Sequence, residues 1–200
     1  AYWGTISVRY APFRRVGANG GGVFPFSDED REFMEDKIKY MKKAIACARR
    51  ALKGGEVPIG AVVVYEGKVI GRGFNRRLKT QLASAHAEMM AIDAACRKLG
   101  SWRLPGAEIY VTLEPCPMCM GAILNARIDK LCFGAYEQKG RSFTNELAAA
   151  NLLNHTVAVE GGVLEGECSG MITRFFAEMR EREKRKKTEE KQETEEKEEE

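Results

Sequence analysis

The sequence predicts an α/β domain with three layers, α/β/α, around a central mixed β-sheet. Segments with an apolar residue every three or four positions alternate along the chain with short apolar runs rich in Val and Ile. The first pattern is typical of amphipathic helices and the second of buried strands. With 200 residues, 44% of them hydrophobic and 30% charged, the chain is long enough for one domain with a substantial core.

The first helix is predicted to begin at Ser27-Asp28-Glu29-Asp30, whose side chains are suited to capping a helix N-terminus. Gly54-Gly55 ends it. Between these signals, apolar residues recur at steps of four and three, as one helix face requires: Met34, Ile38, Met41, Ile45, Ala48 and Leu52.

A β-hairpin is predicted next, with strands over residues 61–65 and 69–75 joined by Glu66-Gly67-Lys68. Residues 76–85 form a polar loop that leads to a second helix over 88–99. The remaining elements are a strand over 108–113, a third helix opened by Pro115, strands over 130–136 and 156–159, and a last helix over about 165–180.

The most informative motif is His86-Ala87-Glu88 combined with Pro115-Cys116-Pro117-Met118-Cys119. One imidazole and two thiols offer Zn²⁺ three protein ligands and leave a fourth position open, which is typical of a catalytic zinc. Both clusters lie at predicted helix N-termini, which favour thiolate over thiol. Glu88 lies two residues from the His ligand, where its carboxylate can shuttle protons without binding the metal. The pattern therefore predicts hydrolytic chemistry at a zinc ion.

Two structural interpretations compete with a catalytic zinc. A Cys-x-x-Cys pair alone could be a redox pair or half of a closed zinc site. A closed site needs a fourth ligand, yet the only other His, His155, lies in a polar turn. The remaining thiols lie among apolar residues and are predicted to be core, which indicates a reducing compartment: Cys47, Cys96, Cys132 and Cys168.

His-x-Glu followed by Pro-Cys-x-x-Cys is the pattern of zinc nucleobase deaminases. The chain resembles one family of the zinc-dependent cytidine deaminase superfamily, the tRNA-specific adenosine deaminases, which convert the anticodon wobble adenosine to inosine. The resemblance covers residues 30–183 and implies a cytidine-deaminase-like fold. It rests on Glu56-Val57-Pro58-Ile59-Gly60-Ala61, Gly73-Phe74-Asn75-Arg76, Ala85-His86-Ala87-Glu88-Met89, Leu113-Glu114-Pro115-Cys116-Pro117-Met118-Cys119, Gly121-Ala122-Ile123, Phe133-Gly134-Ala135, Gly162-Val163-Leu164, Glu167-Cys168 and Phe175-Phe176.

The resemblance implies a role for each site residue. Zinc held by His86, Cys116 and Cys119 activates water, and Glu88 is the catalytic acid and base. The implied substrate-binding residues are Asn75, Ile59, Ala87, Leu113 and Arg180. Asn75 would hydrogen-bond the flipped base and Ile59 would pack on it. The backbone of Leu113 would meet the leaving amine, and Arg180 would contact RNA phosphate. Three of them have a simpler alternative: Asn75 as a turn cap, Ile59 as core and Arg180 as a solvated surface charge.

Two segments depart from the family's usual pattern. Leu82-Ala83-Ser84 replaces an Asp/Asn-x-Thr sequence before His86, and the loop over residues 139–144 also differs. Both border the mouth of the pocket in the family. They leave open a free base or nucleotide, such as guanine, cytosine or dCMP, as the substrate. A second alternative is a zinc-stabilised RNA-binding or partner subunit without catalysis.

Three segments are predicted: a flexible N-terminal arm (1–27), the deaminase domain (28–180) and a charged tail (181–200). The arm carries Arg9, Arg14 and Arg15 without an acid, and we expect a transit-peptide remnant, a tag remnant or a plain flexible arm. The tail contains seven Lys/Arg and ten Glu but no apolar side chain, so we expect disorder.

The expected partners are a tRNA anticodon loop and a second copy of the chain, because the resemblance implies a homodimer with the helix after Cys119 near the interface. The net charge of +3 permits RNA binding without demanding it. No apolar run approaches the roughly 20 residues that span a bilayer, so no membrane partner is expected. The expected location is the cytoplasm, or a plastid or other organelle if the arm is a transit-peptide remnant.

Overall fold

The computed structural model describes residues 28–137, 144–150 and 153–199. Within them, one sheet carries helices on both faces. The helices are α1 (Asp28–Lys53), α2 (Arg77–Thr80), α3 (Ala87–Leu99), α4 (Pro117–Asn125), α5 (Thr144–Ala149) and α6 (Glu165–Glu199). The strands are β1 (Gly60–Tyr65), β2 (Lys68–Phe74), β3 (Glu108–Leu113), β4 (Lys130–Ala135) and β5 (Ala158–Glu160).

The sheet has the strand order β2-β1-β3-β4-β5 and is mixed, as predicted. Strand β1 pairs antiparallel with both β2 and β3, whereas β4 pairs parallel with β3 and with β5. Because β3 and β4 run in parallel, their carboxyl ends, Leu113 and Ala135, are neighbours at one edge of the sheet. The chain leaves β3 at that edge and enters the Cys116 segment.

Successive side chains along the strands point to opposite faces of the sheet, and each face is covered by a different pair of helices. Tyr110 and Cys132 pack against α1 and α6, whereas their neighbours Ile109 and Leu131 pack against α3 and α4. This is the period of two that a pleated strand imposes. The three-layer α/β/α prediction is confirmed.

Helix α3 packs directly on β2 because two glycines of β2 have no side chain there. A Cβ at Gly73 would lie 2.0 Å from the carbonyl oxygen of Ala87, and one at Gly71 would lie 2.1 Å from that of Ala91. Any larger residue would therefore push the helix away. This close packing fixes the N-terminus of α3 beside the end of β2.

Three local predictions need correction. Helix α4 begins at Pro117 rather than at Pro115, with Cys116 in an extended conformation as its N-cap. The polar loop over 76–85 contains a short helix, α2. Helix α5 was not predicted; it is six residues long and Ala148 is buried against the core, so packing rather than a local signal stabilises it.

The cysteines outside the motif behave as predicted for the core. All six cysteines are free thiols, and Cys47, Cys132 and Cys168 are buried in the layer of α1 and α6. Cys96 is half-buried and packs against the other layer. His155 follows the turn at residues 153–154, and its Nε2 is 2.8 Å from the carbonyl oxygen of Ile128.

Helix α6 continues to Glu199, through the segment for which the sequence predicts disorder. Its side chains from 181 to 190 are exposed, and Arg185 pairs with Glu181 at 3.7 Å one turn away. Glu and Lys are strong helix formers, and such pairs add a few tenths of a kcal/mol each. The limits of the three segments remain a prediction, and the arm (1–27) lies outside the described residues.

In the described part of the chain, no helix combines the length and the hydropathy that crossing a bilayer requires.

Candidate active site

Two helix N-termini meet at the candidate metal site. His86 is the N-cap of α3, Cys116 is the N-cap of α4, and Cys119 lies in the first turn of α4. The Nδ1 atom of His86 is 3.7 Å from Sγ of Cys116 and 3.5 Å from Sγ of Cys119. All three ligand atoms lie within 4.8 Å of one another. The fold therefore assembles the three residues that the sequence motif predicts as ligands.

The spacing of these donors fits a single metal ion. With metal–sulfur and metal–nitrogen bonds of about 2.3 and 2.0 Å, tetrahedral ligands are separated by roughly 3.5 to 3.8 Å. The observed separations of 3.7 and 3.5 Å from His86 agree. Among the described residues, no fourth His, Cys, Asp or Glu joins the group, so the protein can leave one coordination position to water or substrate.

The two thiols hold their protons unequally. A hydrogen bond from Cys119 lowers the pKa of Cys116 to about 4, and His86 contributes in the same direction. The same hydrogen bond, together with burial, raises the pKa of Cys119. One thiolate and one thiol thus share a proton, which a metal ion displaces when it binds.

Glu88 is a buried carboxyl in the first turn of α3. Only 4% of it is exposed, and burial raises its pKa above that of an ordinary Glu. A carboxyl whose pKa is raised in this way can both accept and return a proton near neutral pH, as a general acid–base requires. Asn75, Thr112 and Glu114 are other buried polar residues at this end of the sheet.

Asn75 connects the end of β2 to the N-terminus of α3. Its Oδ1 accepts a hydrogen bond from the backbone N–H of Ala87 at 3.0 Å, and that N–H has no partner within the helix. The backbone N–H of Asn75 donates to the carbonyl oxygen of Ile59 at 3.2 Å. Oδ1 keeps a second lone pair and the NH₂ group has two N–H donors, so the side chain can still hydrogen-bond a ligand.

The other predicted substrate residues have different surroundings. Ile59 is half-buried before β1 and packs against the core, Ala87 is fully buried, and Leu113 is half-buried at the end of β3. Arg180 is exposed on α6. Ile59, Asn75 and Ala87 are thus joined by hydrogen bonds, whereas the substrate contacts of all five residues remain predictions.

Two buried carboxylates that hold the walls of the site were not singled out from the sequence. Glu114 accepts a hydrogen bond from the backbone N–H of Glu137 at 3.1 Å, and its own N–H donates to Ala135 at 2.9 Å. Glu56 accepts from the backbone N–H of Lys79 at 2.9 Å. Both are charged residues inside apolar motifs, and this is the signal that could have identified them.

The structure describes the first of the two divergent segments in full and only one residue of the second. Leu82-Ala83-Ser84 is exposed, and the N–H of His86 donates to the carbonyl oxygen of Ser84 at 2.7 Å. This turn therefore positions His86, the predicted metal ligand. The second segment, 139–144, lies outside the described residues except for Thr144, which is buried and hydrogen-bonded to the carbonyl oxygen of Pro115.

Comparisons of this chain with protein families and with individual relatives all match deaminases. The MafB19-like deaminase family matches residues 35–180. The tRNA-specific adenosine deaminase of Bacillus subtilis (strain 168) is 50% identical over 147 residues, which cover 72% of this chain and 91% of the relative. That of Streptococcus pyogenes serotype M18 (strain MGAS8232) is 42% identical over 153 residues, covering 76% and 96%.

One solved structure is similar to this chain in both sequence and fold. It comes from studies of A-to-I editing by tRNA:A34 deaminases at the wobble position of transfer RNA. It is 42% identical to this chain with a TM-score of 0.62, covering 66% of this chain and 98% of its own.

Proposed function

This chain belongs to the MafB19-like deaminase family and is a relative of the tRNA-specific adenosine deaminases. We propose that it deaminates adenosine to inosine in tRNA, at the anticodon wobble position. The observation that carries the proposal is the buried carboxyl of Glu88 beside the converging His86, Cys116 and Cys119. A structural metal site needs no such proton carrier, whereas a hydrolytic deaminase does.

Zinc is the ion that we propose for this site, since two thiolates and an imidazole favour it over ions that prefer oxygen ligands. His86, Cys116 and Cys119 would hold it. When bound, zinc lowers the pKa of water to about 7 and so supplies the nucleophile for hydrolysis at neutral pH.

Glu88 performs the proton transfers of the reaction. Its carboxylate accepts a proton from the attacking water and delivers it to N1 of adenine as the new C6–O bond forms. The C6–N6 bond then breaks, and Glu88 passes the second proton of the water to the departing ammonia. Burial favours these transfers, because it raises the pKa of Glu88 and excludes bulk water from competing.

The free-base alternative is less well supported than the tRNA substrate. The divergent segments at 82–84 and 139–144 favour it, yet relatives at 42–50% identity are named tRNA-specific adenosine deaminases. The non-catalytic alternative has no observation in its favour, because Glu88 is present and the ligand group leaves a position open. We therefore assign both segments to variation in how flanking nucleotides are contacted.

The decisive experiment is nucleoside mass spectrometry on unmodified tRNA incubated with the zinc-loaded protein. We expect inosine at a single anticodon position. If the protein carries one zinc ion per chain and forms no inosine, the proposal is wrong. Release of ammonia from guanine, cytosine or dCMP in the same preparation would then support the free-base alternative.

A substitution at Asn75 separates its proposed base contact from its contact with Ala87. Asn75→Asp keeps an oxygen that accepts the Ala87 N–H but removes the NH₂ donor. We expect kcat/KM on tRNA to fall about tenfold or more, the loss of one substrate hydrogen bond, with little change in Tm. Asn75→Ala should in addition lose about 1 kcal/mol of stability, because the helix end is uncapped.

If Asn75 is only a cap, Asn75→Asp will be as active as the parent protein and only Asn75→Ala will melt at lower temperature. Thermal unfolding and steady-state kinetics on the same preparations distinguish these results.

The expectations on assembly and location remain proposals. Helix α4 carries an exposed Met118, which would contribute to a homodimer interface at this helix. We propose the cytoplasm as the location, or an organelle if the arm (1–27) is a transit-peptide remnant.

A further inference from the structure

A groove of about 480 Å³ lies beside Asn75, between the C-terminal end of α1 and the end of β2. Phe74 and Ala51 form part of its walls. Four cationic side chains also line it, and they come from two separate parts of the sequence: Arg50, Lys53, Arg76 and Lys79.

The groove has a strong positive charge. Its one acidic residue, Glu56, is 4% exposed and accepts the backbone N–H of Lys79 at 2.9 Å. In the part of the chain that the structure describes, none of the four cations is in an ion pair. The carbonyl groups at the end of α1 supply only about half a negative charge, so the groove is suited to an anionic ligand.

An aromatic ring holds two of the cations in place. The guanidinium carbon of Arg50 lies 4.6 Å from the centroid of Phe74, and that of Arg76 lies 6.0 Å from it. Guanidinium groups that stack on a ring lose less conformational freedom when they bind an anion. Their planar donors match phosphate oxygens in pairs.

The positive surface continues past α1. A second groove shares Lys53 and also includes Arg49 and Arg174 of α6. Arg49 is paired with Glu167 at 3.1 Å, which leaves Arg174 as the added positive charge. Cations therefore extend from Asn75 across the end of α1 to α6, as an extended polyanion requires rather than a single small anion.

We infer that this basic groove binds the phosphodiester backbone of the RNA next to the nucleotide that is deaminated. The inference rests on the proposed function, in which Asn75 contacts the flipped base. A base held at Asn75 brings its own strand to the adjoining groove, and phosphate is the chemical group that every RNA sequence presents there. Recognition of this kind positions the substrate without reading its sequence.

The test replaces two exposed lysines of the groove, Lys53→Gln/Lys79→Gln. The matched control is Lys42→Gln/Lys68→Gln, which removes the same charge from exposed positions in the middle of α1 and at the start of β2, at the opposite end of that strand from Asn75. Fluorescence anisotropy with an anticodon stem–loop RNA gives Kd between about 50 and 200 mM salt. Inosine formation on the same RNA gives kcat and KM.

For the groove variant we expect the slope of log Kd against log salt to decrease by about 1.4, roughly 0.7 for each lost phosphate contact. Kd and KM should rise about tenfold at low salt, so that the loss falls on KM rather than on kcat. The control variant should keep the slope, KM and kcat of the parent protein, and both variants should keep its Tm.

Equal slopes and equal KM values for the two variants would overturn the inference while leaving the proposed function intact. If the parent protein forms no inosine but binds RNA with a slope that depends on Lys53 and Lys79, the proposed function fails. The groove then remains a phosphate-binding surface, but its placement beside a deaminated nucleotide is wrong. The inference would also be overturned if poly-Glu displaced the RNA while the Lys53→Gln/Lys79→Gln substitutions left RNA binding unchanged.

Discussion

Glu88→Gln is expected to lower kcat for inosine formation about 10²- to 10⁴-fold, the usual contribution of general acid–base catalysis. Glutamine has nearly the same shape as glutamate and can occupy the same buried position at the start of α3. It cannot accept a proton from water or return one to ammonia. The substitution therefore removes the chemistry of this side chain and little else.

Metal content must be measured on the same preparation, because Glu88 lies two residues from His86. Mass spectrometry of the bound metal should give the same stoichiometry for the variant and the parent protein. A suitable control is Glu108→Gln at the start of β3, the opposite end of that strand from Cys116, which should retain most of the activity. A zinc-loaded Glu88→Gln protein with parental kcat would exclude Glu88 as the proton carrier.

The sequence was sufficient to predict the residues of the candidate metal site, because their signal is local and chemical. Few structural roles require an imidazole, a carboxyl and two thiols at this spacing, so the motif predicts the ligands before any fold is known. What the sequence could not give is how α3 and α4 are brought together. That depends on long-range packing, such as the contact of α3 with Gly71 and Gly73 of β2.

The predicted elements were most accurate where the hydrophobic pattern was long. Helix α1 was predicted within a few residues from its apolar face, whereas the start of α4 was placed two residues early. Pro115 and Pro117 both suit a helix start, and only the structure shows that Cys116 between them is the extended N-cap. Helix α5 was not predicted, because a six-residue helix depends on its contacts with α4 and the core.

The basic groove was missed for a related reason. Arg50, Lys53, Arg76 and Lys79 each have the sequence pattern of a solvated surface charge, and they become a common surface only where α1 and β2 end together. Net charge was no guide, since residues 28–180 carry 22 Lys/Arg against 19 Asp/Glu, a net charge of only +3. Arg180, which the family resemblance implied as the phosphate contact, remains a separate prediction.

Cys119→Ala is expected to lower metal affinity more than about 100-fold, since even residues behind the ligands contribute 10- to 100-fold, and to abolish deamination. Cys119 is fully buried, with Sγ 3.5 Å from Nδ1 of His86. Its loss leaves two ligands, fewer than a catalytic zinc site uses. Metal analysis after dialysis and an inosine assay at saturating tRNA measure both effects.

The same substitution tests whether the metal stabilises the fold, because His86 and Cys116 begin different helices that a shared ion would hold together. A chelator should lower the Tm of the parent protein, since a ligand at 1,000 times its Kd adds about 4 kcal/mol to the free energy of unfolding. It should leave the Tm of Cys119→Ala unchanged.

The matched control is Cys47→Ala, which removes a buried thiol from α1 on the opposite face of the sheet and should retain both metal and chelator sensitivity. If Cys119→Ala also retains them, the ligand assignment is wrong, because a site that loses one of three ligands cannot hold its ion unchanged.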